Sequence, residues 1–400
     1  MIVENRRARA HVDVPLILMA YALALFGVLA VTVATYSISS TADAPLLNHI
    51  VESDSAVRQC LFLLIGAVVI SVLINIPYDV LKRFTPMAYY GANILLLVVW
   101  VFNRAEGVKQ WLDVIWGFTI QPSEFAKLAM ILMMARTLSR SDKPMSNIQE
   151  GIYIFTLLGI PAAINLFSGE MGSLLVIVFV FAVMLYFSGV DIRILLALAA
   201  IAIVAVLGLY AFMRTFNPDS YRLARILSFI DPENYSTDAA YQQTQSKIAI
   251  GSGGLWGIGM FVDGAMSQLN YVPADWTDFI FATIGEAFGF VGCVAIIVVY
   301  LAILLRMLYL ARFTKDRYGM LVIIGVMGML LFHVFENIAM TIGLMPITGI
   351  PLPFISYGGS NMVANMGGIA LVLNVTKNRS LAGSIATPQR EAALLRYRNR

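Results

Sequence analysis

Ten stretches of about twenty apolar residues run along almost the whole chain, and they constrain its fold more than any other feature. A helix needs roughly 20 such residues to cross about 30 Å of hydrocarbon. With 59% hydrophobic and 13% charged residues, the chain is much more apolar than an average soluble domain. The sequence therefore predicts an all-α polytopic membrane protein with about ten transmembrane helices. The stretches lie near residues 14–36, 58–76, 84–102, 122–139, 151–167, 171–188, 192–213, 277–305, 319–343 and 354–375.

An even number of spans places both termini on the same side of the membrane. With the N-terminus in the cytoplasm, 19 of the 27 Lys and Arg residues fall on the cytoplasmic side, as the positive-inside rule requires. We therefore expect cytoplasmic termini, one integral membrane domain over residues 1–380, and a basic cytoplasmic tail over 381–400.

Several classes of function find no support in the composition. Cys60 and Cys293 are the only cysteines, and their separation supports neither a disulfide framework nor a thiolate metal site. The net charge of +3 is explained by cytoplasmic anchoring and does not indicate nucleic-acid binding. The glycine run over residues 251–259 fits neither the dinucleotide fingerprint nor the P-loop, so nucleotide binding is not expected.

A large extracytoplasmic loop is predicted between the seventh and eighth spans, over about residues 214–276. This length is far beyond an ordinary helix connection, so we expect a functional loop. Its apolar segments, Ile226–Ile230 and Ile248–Phe261, should fold onto the membrane face, partly as amphipathic helices. The external loop over residues 103–121 carries Lys109 and Trp111, and this tryptophan is either an interfacial anchor or a ligand contact.

Asp278 is the first candidate for chemistry, because it stands where the long polar loop meets an apolar span. A carboxylate there is costly and needs a purpose. Glu286 follows eight residues later, on roughly the same helical face, so the two predict an acidic strip that opens outward. The alternative is that Asp278 only caps the helix N-terminus.

Lys127 lies one turn inside the fourth span and needs a counter-ion. We expect an ion pair with Glu170, at comparable depth, and Glu124 is the rival partner. This pair either pins helices together or binds an anionic ligand. In the long loop, the glycine run offers backbone N–H groups for an anion, with Arg222, Arg225 and Lys247 supplying positive charge.

Four blocks of sequence, in order, resemble the family of membrane glycosyltransferases for shape, elongation, division and sporulation (SEDS), to which RodA and FtsW belong. The resemblance extends from the first span to about Asn378. The blocks are Gln121–Lys127, Tyr241–Gln242 with Gln245–Leu255, Thr277–Phe281, and Thr348–Ser360.

The resemblance implies polymerisation of lipid II into peptidoglycan glycan strands at the outer face of the bacterial plasma membrane. It implies a class B penicillin-binding protein as partner, besides the growing strand and membrane lipids, and leaves open a magnesium or manganese ion on the lipid pyrophosphate. Asp278 matches the position proposed as catalytic in the family, where a general base would serve. The implied substrate-binding residues are Lys127, Glu124, Glu170, Trp111, Lys109, Arg222, Arg225, Gln245, Lys247, Ser252, Thr277, Glu286, Ser356 and Tyr357.

The chain also departs from the family pattern. Ala274 and Trp276 stand where the family often has glutamate and histidine, which leaves Asp278 working more alone. The Gln245–Ile250 and Ser267–Asn270 segments resemble the elongation branch, so a RodA-like role is expected. The alternatives are a division or sporulation paralogue, like FtsW or SpoVE, and a lipid II flippase that uses buried charges.

Overall fold

The computed structural model describes residues 12–36, 45–102, 111–113, 119–216, 221–231, 238–269 and 271–398; of residues 221, 222, 239 and 379–398 only the backbone is described. The described chain is mainly helical, with one short antiparallel ladder that joins β1 (Leu112–Asp113) to β2 (Thr119–Ile120). The helices are α1 (Val14–Ala34), α2 (Leu46–Glu52), α3 (Asp54–Asn75), α4 (Tyr78–Phe102), α5 (Pro122–Leu138), α6 (Ile148–Ser168), α7 (Met171–Phe187), α8 (Ile192–Phe216), α9 (Tyr221–Ile230), α10 (Asp238–Ser252), α11 (Ile280–Arg312), α12 (Arg317–Thr341) and α13 (Gly359–Arg398).

The ten predicted spans fall on α1, α3 to α8 and α11 to α13, so the all-α prediction is confirmed. Seven described helices are long and apolar enough to cross a membrane, namely α1, α3, α4, α6, α8, α11 and α12. Helix α7 is apolar but has 17 residues, and α5, also of 17 residues, carries Glu124 and Lys127. The exact number of ten crossings therefore stays a prediction.

Helix α12 forms the centre of the bundle, and 78% of the residues in its most apolar stretch are buried. It packs against α5, α7, α11 and α13. Helix α8 is the opposite case, because Met213 is its only buried residue. A helix that is apolar on every side is either buried in protein or surrounded by lipid, and α8 is of the second kind.

One end of the bundle, which we call the basic end, gathers charged contacts from several helices. Asp13 caps α1 and binds the Arg306 guanidinium of α11, with the closest N–O distance at 2.8 Å. At the same end, the Lys377 ammonium of α13 donates to the Asn75 side chain at 2.9 Å. Asp13 and Lys377 flank the first and last predicted spans, so the start of α1 and this part of α13 lie at the same end of the bundle.

Helix α11 is broken at Gly289, whose φ of 66° and ψ of −166° are not helical. The stretch predicted near 277–305 falls on this helix, which begins at Ile280 and is interrupted inside the stretch. The break frees backbone groups, and residues 254–259 of the long loop bind them. Phe290 N–H donates to the Gly254 carbonyl at 2.9 Å, and Ile258 N–H donates to the Glu286 carbonyl at 2.9 Å.

The glycine run serves this contact with α11. A Cβ at Gly253 would lie 2.0 Å from the Gly285 carbonyl oxygen, and one at Gly257 would lie 2.2 Å from that of Ala287. The N–H of Gly257 donates to the Gly253 carbonyl at 2.7 Å. Because N–H groups of the run bind protein carbonyls, the interpretation of the run as an anion nest is wrong.

Gly27 gives a direct test of close packing in the bundle. A Cβ there would lie 2.6 Å from the Phe354 carbonyl oxygen and 2.7 Å from the Ile355 Cα, both backbone atoms. We expect Gly27→Ala to lower the free energy of unfolding by about 1–3 kcal/mol through overpacking. Gly91→Ala, in α4 with open space around its Cβ, should instead be neutral or stabilising by up to ~1 kcal/mol. Equal unfolding midpoints for the two variants in detergent would contradict this packing.

Candidate active site

A tight turn over residues 274–279 carries the candidate base. Ala274 has a φ of 60°, and its carbonyl accepts the N–H groups of Thr277 at 3.1 Å and Phe279 at 3.2 Å. Helix α11 starts directly afterwards, with Phe279 at the N-cap and no side-chain capping bond. The capping alternative for Asp278 is therefore wrong, and the carboxylate of this half-buried residue needs another explanation.

The proline and glycine segment between α12 and α13 packs against this turn. Ser356 Oγ donates to the Thr277 carbonyl at 2.6 Å, and Tyr357 N–H donates to the Trp276 carbonyl at 3.0 Å. Ser356 Oγ also accepts the Leu352 N–H at 2.7 Å. Through these contacts, Ser356 and the backbone of Thr277 fix the turn and the segment to each other.

The same segment passes directly beside the Asp278 carboxylate. Gly349 has a φ of 74°, and a Cβ built on it would lie 3.4 Å from Asp278 Oδ2. Asn337 of α12 holds both pieces of chain, since its Nδ2 donates to the Asp278 carbonyl at 2.7 Å and to the Ile350 carbonyl at 2.8 Å. Asp278 is therefore held between the segment and the centre of the bundle.

Helix α9 contributes positive charge to this position. Arg225 Nη1 donates to the Ile347 carbonyl at 3.1 Å, which places the guanidinium near the carboxylate. Burial raises the pKa of Asp278 to about 6, although the Arg225 charge opposes that increase. A carboxylate with this pKa is mostly ionised at neutral pH and is a stronger base than an ordinary aspartate.

Helix α10 lies over the end of α12 and presents a second cation. Its Gln243 side chain donates to the carbonyls of Met340 and Met345 at 3.1 and 2.9 Å. The exposed Lys247 extends past Gly343, where an added Cβ would lie 3.6 Å from Lys247 Nζ.

Two further predicted residues lie on α10 without a special contact to the site. The Gln245 side chain is half-buried. Ser252 Oγ donates back to the Ala249 carbonyl of its own helix at 2.7 Å. The structure shows a ligand role for neither residue, so substrate binding by Gln245 and Ser252 stays a prediction.

Lys127 pairs with Glu124 and not with Glu170, so the expected ion pair was wrong and its rival is correct. The Nζ to Glu124 Oε1 distance is 2.8 Å, and Nζ lies 2.9 Å from His333 Nε2. Residues three apart share one helix face, which brings Glu124 to Lys127 without help from another helix. Glu170 instead accepts a hydrogen bond from the Gln121 amide at 3.3 Å.

Glu286 does not form an outward-opening strip with Asp278. It is 2% exposed, and its two carboxylate oxygens accept the N–H groups of Met266 at 2.7 Å and Ser267 at 3.1 Å. These bonds attach the end of the long loop to α11. Glu286 therefore has a structural role, because it fixes the end of the long loop to the part of α11 that precedes the break at Gly289.

Asp275, two residues before Thr277, is an additional buried acid. Its side chain is fully buried, and burial raises the pKa of Asp275 to about 8, with the charge of Glu286 adding to the effect. Asp275 is therefore largely protonated at neutral pH. A neutral acid that points into the protein does not replace the glutamate and histidine that the family often has nearby.

Asp275 makes the stability of the fold depend on pH. Its pKa is higher in the folded chain than in the unfolded one, so the folded state binds more protons, and stability should fall as pH rises from about 4 to about 8. We expect Asp275→Asn to flatten this dependence and to unfold at a higher temperature than wild type at pH 8. Asp54→Asn, at an exposed carboxylate, is the control and should leave the wild-type slope. A slope unchanged in Asp275→Asn would contradict the assignment.

Three predicted contacts from the outer loops are only partly described. Lys109 lies outside the described residues, as does the side chain of Arg222. Trp111 is 42% exposed beside β1, and the ladder reaches the start of α13, where Ser360 Oγ donates to the Thr119 carbonyl at 3.5 Å. Trp111 thus lies on the same external loop as expected, without a described role.

Sequence reasoning missed Gln243, whose side chain binds two backbone carbonyls from within the long loop. Asn337 and His333 stood out in the sequence as polar residues of an apolar span with either a structural or a ligand role, and the structure gives both of them contacts within the protein. Within the residues described above, no three His, Cys, Asp or Glu side chains are grouped as metal ligands.

Comparison with known proteins gives two curated relatives that cover most of the chain. A probable peptidoglycan glycosyltransferase FtsW from Geobacter sp. (strain M18) is 33% identical over 375 residues, which cover 93% of this chain and 98% of the relative. The peptidoglycan glycosyltransferase MrdB from Escherichia coli (strain K12) is 34% identical over 318 residues, or 79% and 84% of the two chains.

A solved structure has the same fold over most of the chain. It comes from work on the structural coordination of polymerization and crosslinking by a peptidoglycan synthase complex, and the matched chain is 25% identical with a TM-score of 0.72. The match covers 92% of this chain and 98% of the other. The family model for the cell cycle proteins FtsW, RodA and SpoVE matches residues 15–381. With nearly all of the membrane domain matched, the chain belongs to the FtsW, RodA and SpoVE family.

Proposed function

We propose that this chain is a peptidoglycan glycosyltransferase that polymerises lipid II into glycan strands at the outer face of the bacterial plasma membrane. The observation that carries the proposal is the carboxylate of the half-buried residue Asp278, which has its pKa raised to about 6 by burial and lies near the Arg225 guanidinium. Two curated relatives that match most of the chain are named as peptidoglycan glycosyltransferases.

In the proposed reaction, Asp278 takes the proton from the 4-hydroxyl of the acceptor GlcNAc as its oxygen attacks the anomeric carbon of the donor. The new glycosidic C–O bond forms while the bond from the anomeric carbon to the pyrophosphate oxygen breaks. Undecaprenyl pyrophosphate leaves with the bonding electron pair. A base near its working pH and positive charge at the leaving group are what this step requires.

Arg225 and Lys247 are the candidates for stabilising the leaving pyrophosphate. Arg225 lies near Asp278 and is fixed to the Ile347 carbonyl, while Lys247 is exposed on α10 beside Gly343. Arg222 stays a candidate from the sequence alone, and Lys127 is a further candidate from the floor of the cavity. A magnesium or manganese ion bound by the pyrophosphate would add positive charge at the same place.

A class B penicillin-binding protein is the proposed partner, and it would crosslink the strands that this chain makes. The support is the match to a chain from a peptidoglycan synthase complex in which polymerization and crosslinking are coordinated.

The proposed role is elongation and maintenance of cell shape. It rests on the Gln245–Ile250 and Ser267–Asn270 segments, which resemble the elongation branch. The relatives named FtsW and MrdB are about equally similar to this chain, so division or sporulation stays the alternative. Depletion in the native bacterium separates the roles, since loss of elongation gives round cells and loss of division gives filaments.

Polymerisation is tested with fluorescent lipid II and the purified full-length chain in liposomes, together with its cognate partner blocked by penicillin. We expect long glycan strands, which electrophoresis resolves. A flippase would instead move lipid II across the bilayer and make no strands. A transport assay on the same liposomes therefore separates the two functions, and transport without polymer would overturn the proposal.

A further inference from the structure

Asn337 joins the candidate base to the segment that faces it. Its side chain is fully buried in α12, and Nδ2 donates to the Asp278 carbonyl at 2.7 Å and to the Ile350 carbonyl at 2.8 Å. An amide has two N–H donors, and both are used here on backbone carbonyls. These carbonyls belong to two separate parts of the chain that meet only at the site.

The two bonds fix the backbone on both sides of the Asp278 carboxylate. One holds the carbonyl of Asp278 itself. The other holds Ile350, the neighbour of Gly349, whose Cβ position lies 3.4 Å from Asp278 Oδ2. Next to Asn337, Glu336 Oε1 accepts a hydrogen bond from the Thr348 hydroxyl at 2.9 Å, so α12 holds residues 348 and 350 on either side of Gly349.

We propose that Asn337 is a positioning residue for the transfer reaction, one that fixes the Asp278 carboxylate relative to the Gly349 backbone without touching the substrate. The proposal rests on the proposed function, in which Asp278 is the base. A shift of about 1 Å in a reacting group can cost on the order of 10²-fold in rate. We therefore expect loss of the two bonds to lower kcat by about that factor while KM for lipid II changes little.

The chain offers a closely matched control in Asn374. Its side chain is also fully buried, and Nδ2 also donates to two backbone carbonyls, those of Leu73 at 2.7 Å and Ile76 at 2.8 Å. These partners lie at the end of α3, at the basic end of the bundle. Asn374→Ala therefore removes two donor bonds of the same kind as Asn337→Ala does, far from Asp278, together with a longer bond that Asn374 Oδ1 accepts from Asn378 Nδ2 at 3.2 Å.

The kinetic test compares Asn337→Ala, Asn337→Leu and Asn374→Ala in the polymerisation assay, with thermal unfolding measured for each. We expect similar losses of stability in the two alanine variants, and a large loss of kcat in Asn337→Ala but not in Asn374→Ala. Asn337→Leu keeps the branched shape of the side chain but has no N–H to donate to either carbonyl, so it should be as slow as Asn337→Ala. If Asn337→Leu restores kcat, or if both alanine variants lose it equally, Asn337 only packs the core and the proposal is wrong.

A chemical readout tests the positioning without relying on activity. A hydrophobic carbodiimide labels the Asp278 carboxyl in the detergent-solubilised full chain, and mass spectrometry gives the labelled fraction. Asn337→Ala should change that fraction, whereas Asn374→Ala should leave it at the wild-type value. If wild type makes no polymer, the proposed function fails and the labelling alone decides the positioning. If wild type makes polymer but neither kcat nor labelling responds to Asn337→Ala, the positioning fails by itself.

Discussion

Asp278→Asn is expected to lower the rate of glycan polymerisation by about 10²–10⁴-fold, the contribution typical of a positioned general base. The asparagine keeps the size of the side chain and its place beside Gly349, but it cannot accept the proton of the attacking hydroxyl. Binding of lipid II and of the penicillin-binding partner should persist, because the backbone carbonyl held by Asn337 is unchanged. The measurement is the initial rate of strand formation at saturating lipid II.

Asp238→Asn is the matched control for this substitution. Asp238 is an exposed carboxylate in the first turn of α10, on the same long loop, and its removal should leave the rate unchanged. If Asp278→Asn keeps more than about a tenth of the wild-type rate, the side chain is not the general base, because such a base contributes at least ~10²-fold.

The pH profile follows from the same group. Since the pKa of Asp278 is about 6, the unprotonated carboxylate dominates at pH 7 and is lost as pH falls through about 6. The rate should therefore decline roughly tenfold for each pH unit below that value. The residual activity of Asp278→Asn should lack this acid limb, and a limb that persists in the variant would assign it to another group.

Lys127→Met is expected to destabilise the fold by about 3–5 kcal/mol, the second large effect. It removes the partner of Glu124, whose side chain is 3% exposed, and an unpaired charge in the interior is far costlier than a missing pair. The remaining partner of Lys127, His333, then also loses its contact. The free energy of unfolding is measured by titration with a denaturing detergent in mixed micelles.

The double variant Glu124→Gln with Lys127→Met should recover most of that loss, because neither buried charge remains. It also separates the two roles left open for this pair. If the folded double variant polymerises with the wild-type KM for lipid II, the pair only stabilises the fold. If KM rises while stability is restored, the pair contributes to substrate binding. If the double variant were no more stable than Lys127→Met alone, the ion pair would be contradicted.

The fold was predictable from the sequence as far as hydropathy determines it. Apolar stretches located the helices, whereas the cytoplasmic side that the positive-inside rule assigns to the termini stays a prediction. The break at Gly289 was not predictable, because the residues around it are apolar and read as one continuous span. Only the partner segment over 254–259, distant in sequence, makes the break stable.

At the candidate site, the sequence singled out residues but left their contacts open. A costly carboxylate at a span boundary drew attention to Asp278, whose role as a base is a proposal. The sequence placed Glu124 and Glu170 at similar depth, and the choice between them depends on side-chain direction, which hydropathy does not contain. Glu286 shows the same limit, because its backbone partners at Met266 and Ser267 lie in a loop whose path the sequence leaves open.

The pairing of residues 254–259 with the broken helix α11 makes the long loop inseparable from the bundle. In hydrocarbon, each backbone group must find a partner within the protein, and the loop supplies those partners for Phe290 and the Glu286 carbonyl. Chimaeras that exchange this loop between paralogues must therefore transfer the N-terminal half of α11 with it. Substitutions in this loop and in the N-terminal half of α11 should therefore occur together during evolution.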